Sequence, residues 1–135
     1  MAAIAGTYLR TKEENYEDFL SKLGVSFILA KAVTRVAPTM VITQHGNEWK
    51  IVTKSIFKPV ELKFELGVPF EEISTDGRRC KTIITIEGGS TLITDQVATE
   101  LGHKSVKTIR DFTDEGMYVH MTCEDVISRQ FYRRQ

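Results

Sequence analysis

The chain has 135 residues, enough for one domain (1–135) that buries most of the apolar surface its unfolded form would expose, and no second domain is required. Its 18 basic and 18 acidic residues cancel, so there is no global field to hold nucleic acid or an anionic membrane, and a charged partner has to be met locally. Cys80 and Cys123 stand far apart, with no Cys-x-x-Cys or nearby histidine spacing. That predicts free thiols in a reducing compartment, and neither a disulfide nor a zinc site.

Taken in chain order, Met1–Ala5 shows no basic region ahead of an apolar stretch, and no run approaches the roughly 18 apolar residues of a membrane helix. The expected location is cytoplasmic. Tyr16, Phe19, Leu20 and Leu23 fall at i, i+3, i+4 and i+7 and predict a helix over 16–23, with Glu17, Asp18 and Lys22 off the stripe and Gly24 as its stop. Ser26 fits the N-cap of a second helix over 27–36, in which Leu29, Val33 and Val36 share a face; Pro38 blocks continuation past Ala37. So short a connection makes a helical hairpin, either a plug closing one end of a barrel or a movable lid over a cavity.

After the helices, turn signals recur at His45-Gly46-Asn47, Lys58-Pro59, Gly67, Asp76-Gly77, Gly88-Gly89, Gly102, Asp114-Glu115-Gly116 and Glu124-Asp125. Their spacing, roughly 8–12 residues, predicts about ten strands in an antiparallel meander closing into a barrel or sandwich. Leu62, Phe64 and Leu66 alternate with Glu61, Lys63 and Glu65, so one face of that strand is apolar and the other solvated. Eight strands already leave room for side chains or one small ligand, and ten should enclose a real cavity.

Polar residues on apolar faces appear in the last third. Val106, Thr108 and Arg110 share one strand face, opposite Lys107, Ile109 and Asp111. A guanidinium keeps its proton, so an inward Arg110 needs water, a carboxylate or an anionic ligand; an outward one would pair with Asp111 or Glu115. Val119 and Met121 alternate with Tyr118, His120 and Thr122, where bulk on both faces leaves the inward side undecided. On the last strand Ser128, Gln130 and Tyr132 share a face opposite Ile127, Arg129 and Phe131, and the first set can join Arg110 if it faces inward.

Gly6-Thr-Tyr8, Asn15-Tyr-Glu-Asp-Phe19, Leu23-Gly-Val25, Lys54-Ser-Ile-Phe-Lys58, Lys63-Phe-Glu-Leu-Gly67, Phe70-Glu-Glu72, Asp76-Gly-Arg-Arg-Cys-Lys81 and Ile109-Arg-Asp111 together carry a specific resemblance. Along essentially its whole length the chain resembles the intracellular lipid-binding proteins, the fatty-acid-binding and cellular retinoid-binding family. The resemblance implies an all-β fold: a ten-stranded, flattened, antiparallel up-and-down barrel (a β-clam of calycin type) capped by a helix-turn-helix. It also implies reversible, non-catalytic carriage of a long-chain fatty acid or similar lipid, without cofactor or metal, by a monomer.

Members of that family commonly hold a carboxylate with two arginines and a tyrosine, the second arginine and the tyrosine forming Arg-x-Tyr on the last strand. Arg110 matches the first arginine. An ungapped register places Gln130 at the second and Tyr132 at the tyrosine; a one-residue gap would match Arg129 and Phe131 instead. The ungapped register is preferred, because a slip would turn Tyr132 outward and move the whole strand onto its other face. Glutamine there also resembles cellular retinol carriers, so a retinoid carrier is the alternative. One guanidinium in place of two should loosen head-group selectivity. The tail still contributes most, with about twelve buried methylenes at ~0.8 kcal/mol each.

Further matches are implied for the cavity and its portal: Tyr16, Leu20, Val33, Pro38, Thr53, Phe57, Asp76, Arg78, Gln96, Val119 and Met121, with Phe57 as a portal gate. Lys31, Arg35 and Lys58 can meet anionic head groups during transfer or form a solvated face. The stretch Val97–Lys104 is longer than the hairpin usual at its place. Ser21 and Ala30 stand where basic residues of the family's nuclear-import surface are expected, leaving diffusion as the route to the nucleus. Two other classes compete. No catalytic motif accompanies His45, His103 or His120, which argues against an enzyme. Basic and aromatic residues interleave over 129–134 as in a nucleic-acid-binding barrel, but the neutral charge argues against it.

Overall fold

Turn chemistry and alternation translate directly into the observed elements. The computed structural model describes residues 3–135. Its elements are β1 (Gly6–Glu14), α1 (Tyr16–Leu23), α2 (Phe27–Arg35), β2 (Thr39–His45), β3 (Glu48–Lys54), β4 (Val60–Glu65), β5 (Phe70–Ile73), β6 (Arg79–Glu87), β7 (Thr91–Ala98), β8 (Val106–Phe112), β9 (Gly116–Cys123) and β10 (Val126–Arg134). The strands form one sheet in the order β4-β3-β2-β1-β10-β9-β8-β7-β6-β5, with antiparallel neighbours throughout. Because β1 pairs with both β2 and β10, the first and last strands lie side by side and the sheet curls into a nearly closed barrel. Its two ends, β4 and β5, are joined by the Leu66–Pro69 turn, whose Gly67 N–H donates to Ile84 O on β6 (2.8 Å).

Both helices start, and α1 stops, where the sequence says. Gly24 takes the left-handed conformation (φ 101°) that ends α1, and Ser26 Oγ accepts from Leu29 N–H (3.3 Å) at the start of α2. The buried face of α2 differs from expectation. Ala30 is its buried residue and Val33 packs beside it, whereas Leu29 is 49% exposed and Phe27 and Ile28 are more so. Three consecutive apolar residues, 27–29, span most of a turn, so they cannot all point inward. The helix itself stops at Arg35, with Val36 already extended.

Two apolar clusters bracket the interior. One fills the far end of the barrel around Tyr8, Ile42, Trp49, Phe64, Leu92 and Met117. The other ties Phe19 and Leu20 of α1, with Ala30, to Val106 and Cys123. Thus α1 is seated on β9 and β10 as a ceiling, while α2 rests on α1. Both cysteines are buried and free. Val97 and Ala98, read as part of an inserted loop, extend β7 instead, with Ala98 facing Cys80 across the ladder. The loop beyond is held by Thr99 N–H to Arg79 O (3.0 Å) and by an Arg79–Glu100 ion pair (3.3 Å).

Candidate functional site

Between the two clusters lies a cavity of about 340 Å³, within the range of roughly 300–1,000 Å³ typical of small-molecule pockets. α1 supplies its ceiling through Tyr16, Phe19, Leu20 and Leu23, and the walls include Ile51, Thr53, Leu62, Val106 and Met121. Period-two alternation brings the polar residues in. Arg110 on β8 faces Val119 on β9, and Val119 faces Gln130 on β10, so the three side chains form one row across the sheet. Tyr132 is the next inward residue along β10.

This row has unused hydrogen-bonding capacity. Arg110 Nη1 makes a long bond to Thr94 Oγ1 (3.4 Å), and its Nε is buried without a partner. Gln130 Nε2 is also buried and unpartnered. Burial lowers the proton affinity of Arg110, and Tyr132 nearby opposes that slightly; a guanidinium nonetheless stays charged near neutral pH. The Tyr132 hydroxyl is pushed up to about 12, by burial first and then by Tyr16, against the pull of the Arg10 and Arg110 charges. It therefore stays protonated and able to donate. Leaving a buried donor unfilled costs about 1–3 kcal/mol, more for a charged group. Two such donors beside a protonated phenol suit an acceptor-rich anion such as a carboxylate.

Around Gln96, two residues along β7 from the Thr94 that meets Arg110, the polar groups satisfy one another. Arg78 donates to both Asp76 oxygens (Nε–Oδ2 2.7 Å, Nη2–Oδ1 3.0 Å), to Gln96 Oε1 (3.0 Å) and to Lys104 O (2.7 Å). Gln96 in turn donates to Glu72 (3.2 Å). Arg78 thus ties the β5–β6 turn to the β7–β8 loop, with its donors already engaged, and Asp76, Arg78 and Gln96 line the cavity as part of that lattice.

Of the remaining sequence-derived positions, Tyr16, Leu20, Thr53 and Met121 line the cavity. Val119 lies in the core beneath it, Val33 packs against the helical cluster, and Pro38 is buried with its carbonyl accepting from Arg10 N–H. Phe57 is partly exposed in the β3–β4 turn. Arg129 points outward, with a half-exposed side chain 4.0 Å from Glu14, so the gapped register would put its guanidinium outside the barrel. The interleaved platform over 129–134 is not available for stacking: Tyr132 faces inward, and Phe131 is covered by Tyr118 (centroids 4.7 Å apart). Sequence reading passes over Arg10, which is buried, and gives Glu72 no role. Alternation from the inward Tyr8 is the signal that could have placed Arg10.

The sequence pattern that describes the lipocalin / cytosolic fatty-acid binding protein family matches residues 5–109. The chain belongs to that family. Its relatives within the family include a fatty acid-binding protein of Lepidoglyphus destructor, 39% identical over 99% of both chains. Fatty acid-binding protein homolog 5 of Caenorhabditis elegans is 38% identical over 96% of this chain and 95% of its own. Among solved structures, apo lipid binding protein 8 of C. elegans superposes with a TM-score of 0.94 at 25% identity, covering 100% and 99% of the two chains. A Schistosoma mansoni fatty acid binding protein in complex with arachidonic acid gives 0.92 at 27% identity, over 100% and 98%. The family's barrel and two-helix cap are therefore those described above, and lipid carriage is the family's business.

Proposed function

We propose that this protein is a carrier that reversibly holds one long-chain fatty acid inside the barrel, its carboxylate at Arg110, Gln130 and Tyr132 and its tail along the apolar wall. The observation that carries the reading is a pair of buried, unpartnered donors, Arg110 Nε on a residue that lines the cavity and Gln130 Nε2 in the same cross-strand row. Relatives named as fatty acid-binding proteins, and one solved with arachidonic acid, support the same ligand class. His45, His103 and His120 are exposed, and the cavity carboxylates Glu72 and Asp76 are engaged with Thr82, Gln96, Ser74 and Arg78, which supports carriage over catalysis. Gln130 favours a second reading, a retinoid or other neutral head group, but neutral ligands leave the Arg110 charge uncompensated.

One chain supplies the whole site, which supports a monomer with one ligand. For transfer we assign two exposed patches, Phe27 and Ile28 of α2 with Lys31 and Arg35, and Ile56 and Phe57 of the β3–β4 turn with Lys58: apolar residues near cations suit an anionic lipid surface. A carrier of this kind works in the cytoplasm and reaches the nucleus by diffusion. The experiment is titration of the delipidated protein with C16–C20 acids against a cavity-bound fluorescent probe. One equivalent of acid should displace the probe; neither displacement nor calorimetric heat would refute the reading.

A further inference from the structure

Arg10 is a buried charge that the head-group reading leaves unused. It sits on β1 directly across the ladder from Tyr132 and is 7% exposed. Its Nη2 donates to Thr34 O (2.7 Å) and Val36 O (2.5 Å), the carbonyls that end α2, where the helix dipole is negative. Its Cζ lies 5.4 Å from the ring centroid of Tyr16 on α1. An extra residue, Thr11, breaks the β1–β10 register between Arg10 and Lys12, and such a bulge re-aims the side chains around it. Carbonyls and a ring face solvate a buried cation without neutralising it. Among the described residues, neither Arg10 nor Arg110 forms an ion pair with a carboxylate. Tyr132 is thus held between the fields of two guanidiniums, and both ease ionisation of its hydroxyl, Arg10 more than Arg110.

We propose that Arg10 is the second cation of the head-group site, a specificity-determining residue that favours an anionic lipid head over a neutral one on the same chain. This rests on the fatty-acid reading of the cavity. Gln130 occupies the place on β10 where the resemblance expects an arginine; Arg10, one strand away, supplies the missing charge. It acts through space and through the Tyr132 hydroxyl, which donates more strongly to a carboxylate when a cation polarises it.

The test is competitive displacement with palmitic acid and with hexadecanol, using wild type, Arg10→Met and Arg10→Lys, alongside thermal melts. Arg10→Met should lose roughly three- to thirtyfold in acid affinity, as expected for one charge at an intermediate dielectric, and keep its alcohol affinity. Arg10→Lys should keep most of the acid preference. If Arg10→Met fails to fold, Arg10→Gln serves in its place. Equal losses for acid and alcohol would overturn the proposal, because a residue that only anchors α2 treats both ligands alike. The two readings fail differently. A wild type that binds no acid refutes the carrier; acid preference lost in Arg110→Leu but intact in Arg10→Met refutes the Arg10 assignment alone.

Discussion

Replacing Arg110 by leucine separates the cost of burying a charge from its use. Without ligand, the guanidinium makes one long bond to Thr94 and leaves Nε unpaired. Leucine removes that unpaired donor and puts apolar volume in its place, recovering about 1–3 kcal/mol of desolvation cost. The ligand-free protein should therefore melt no lower than wild type, and up to roughly 10 °C higher for a domain of this size. Acid binding should move the other way. A charge-assisted hydrogen bond contributes about 1.5–3 kcal/mol, so palmitic acid should bind roughly ten- to a hundredfold more weakly, while hexadecanol changes little. Probe displacement with both ligands and a ligand-free melt read out all three quantities. A melt several degrees below wild type, or equal losses for acid and alcohol, would show that Arg110 supports the barrel and does not hold the carboxylate.

Gln130→Arg should tighten acids relative to alcohols and lower ligand-free stability, since it sets a second guanidinium in the Arg110 row; displacement assays and melts check both signs. If Phe57, exposed in the β3–β4 turn, gates entry, Phe57→Ala should speed ligand exchange in stopped-flow traces while leaving equilibrium affinity within a few-fold, because a gate meets the passing ligand more than the settled one. Asp76 sets a pH limit. Burial raises its carboxyl, but bonds from Arg78 and Ser74 outweigh that and hold it below the usual aspartate value near 3.8. Its stabilisation is therefore complete above that value and lost as pH falls through the lower, folded one. Asp76→Asn should be less stable at neutral pH and show a shallower loss of stability below about pH 4 in acid-denaturation curves.

Local chemistry made most of the fold readable. Gly24, Ser26 and the glycine-bearing turns set the element boundaries, and alternation alone turned Arg110, Gln130 and Tyr132 to one side of their strands. What stayed hidden depended on partners distant in sequence. Phe131, on the outer face, is buried by Tyr118 of the neighbouring strand, which alternation cannot foresee. Alternation from Tyr8 turns Arg10 inward, but its burial depends on carbonyls of α2, 24 and 26 positions away, that the sequence does not place beside it. The saturation of Arg78 is likewise invisible in sequence, because Lys104 O reaches it from a loop 26 positions away. Nor does an isolated Gly116 announce its role. A Cβ there would meet Tyr132 O at 2.0 Å, so glycine is what lets β9 pass close enough to hold Tyr132 in register.

The barrel has a seam. Strands β4 and β5 end the ladder on opposite sides of one turn and share no backbone pairing, so the wall there can part without rupturing a strand-to-strand ladder. Tails of different girth or with a bend can then be accommodated by a slot that widens, at little elastic cost compared with stretching a continuous hoop. An unpaired edge ordinarily invites a foreign strand and, through it, polymerisation. Here β5 is only four residues long, β4 carries Glu61, Lys63 and Glu65, and β5 carries Glu71 and Glu72. A docking strand would find a short template and a crowded row of charge. The same opening that gives the container its compliance is thereby guarded against templating fibrils.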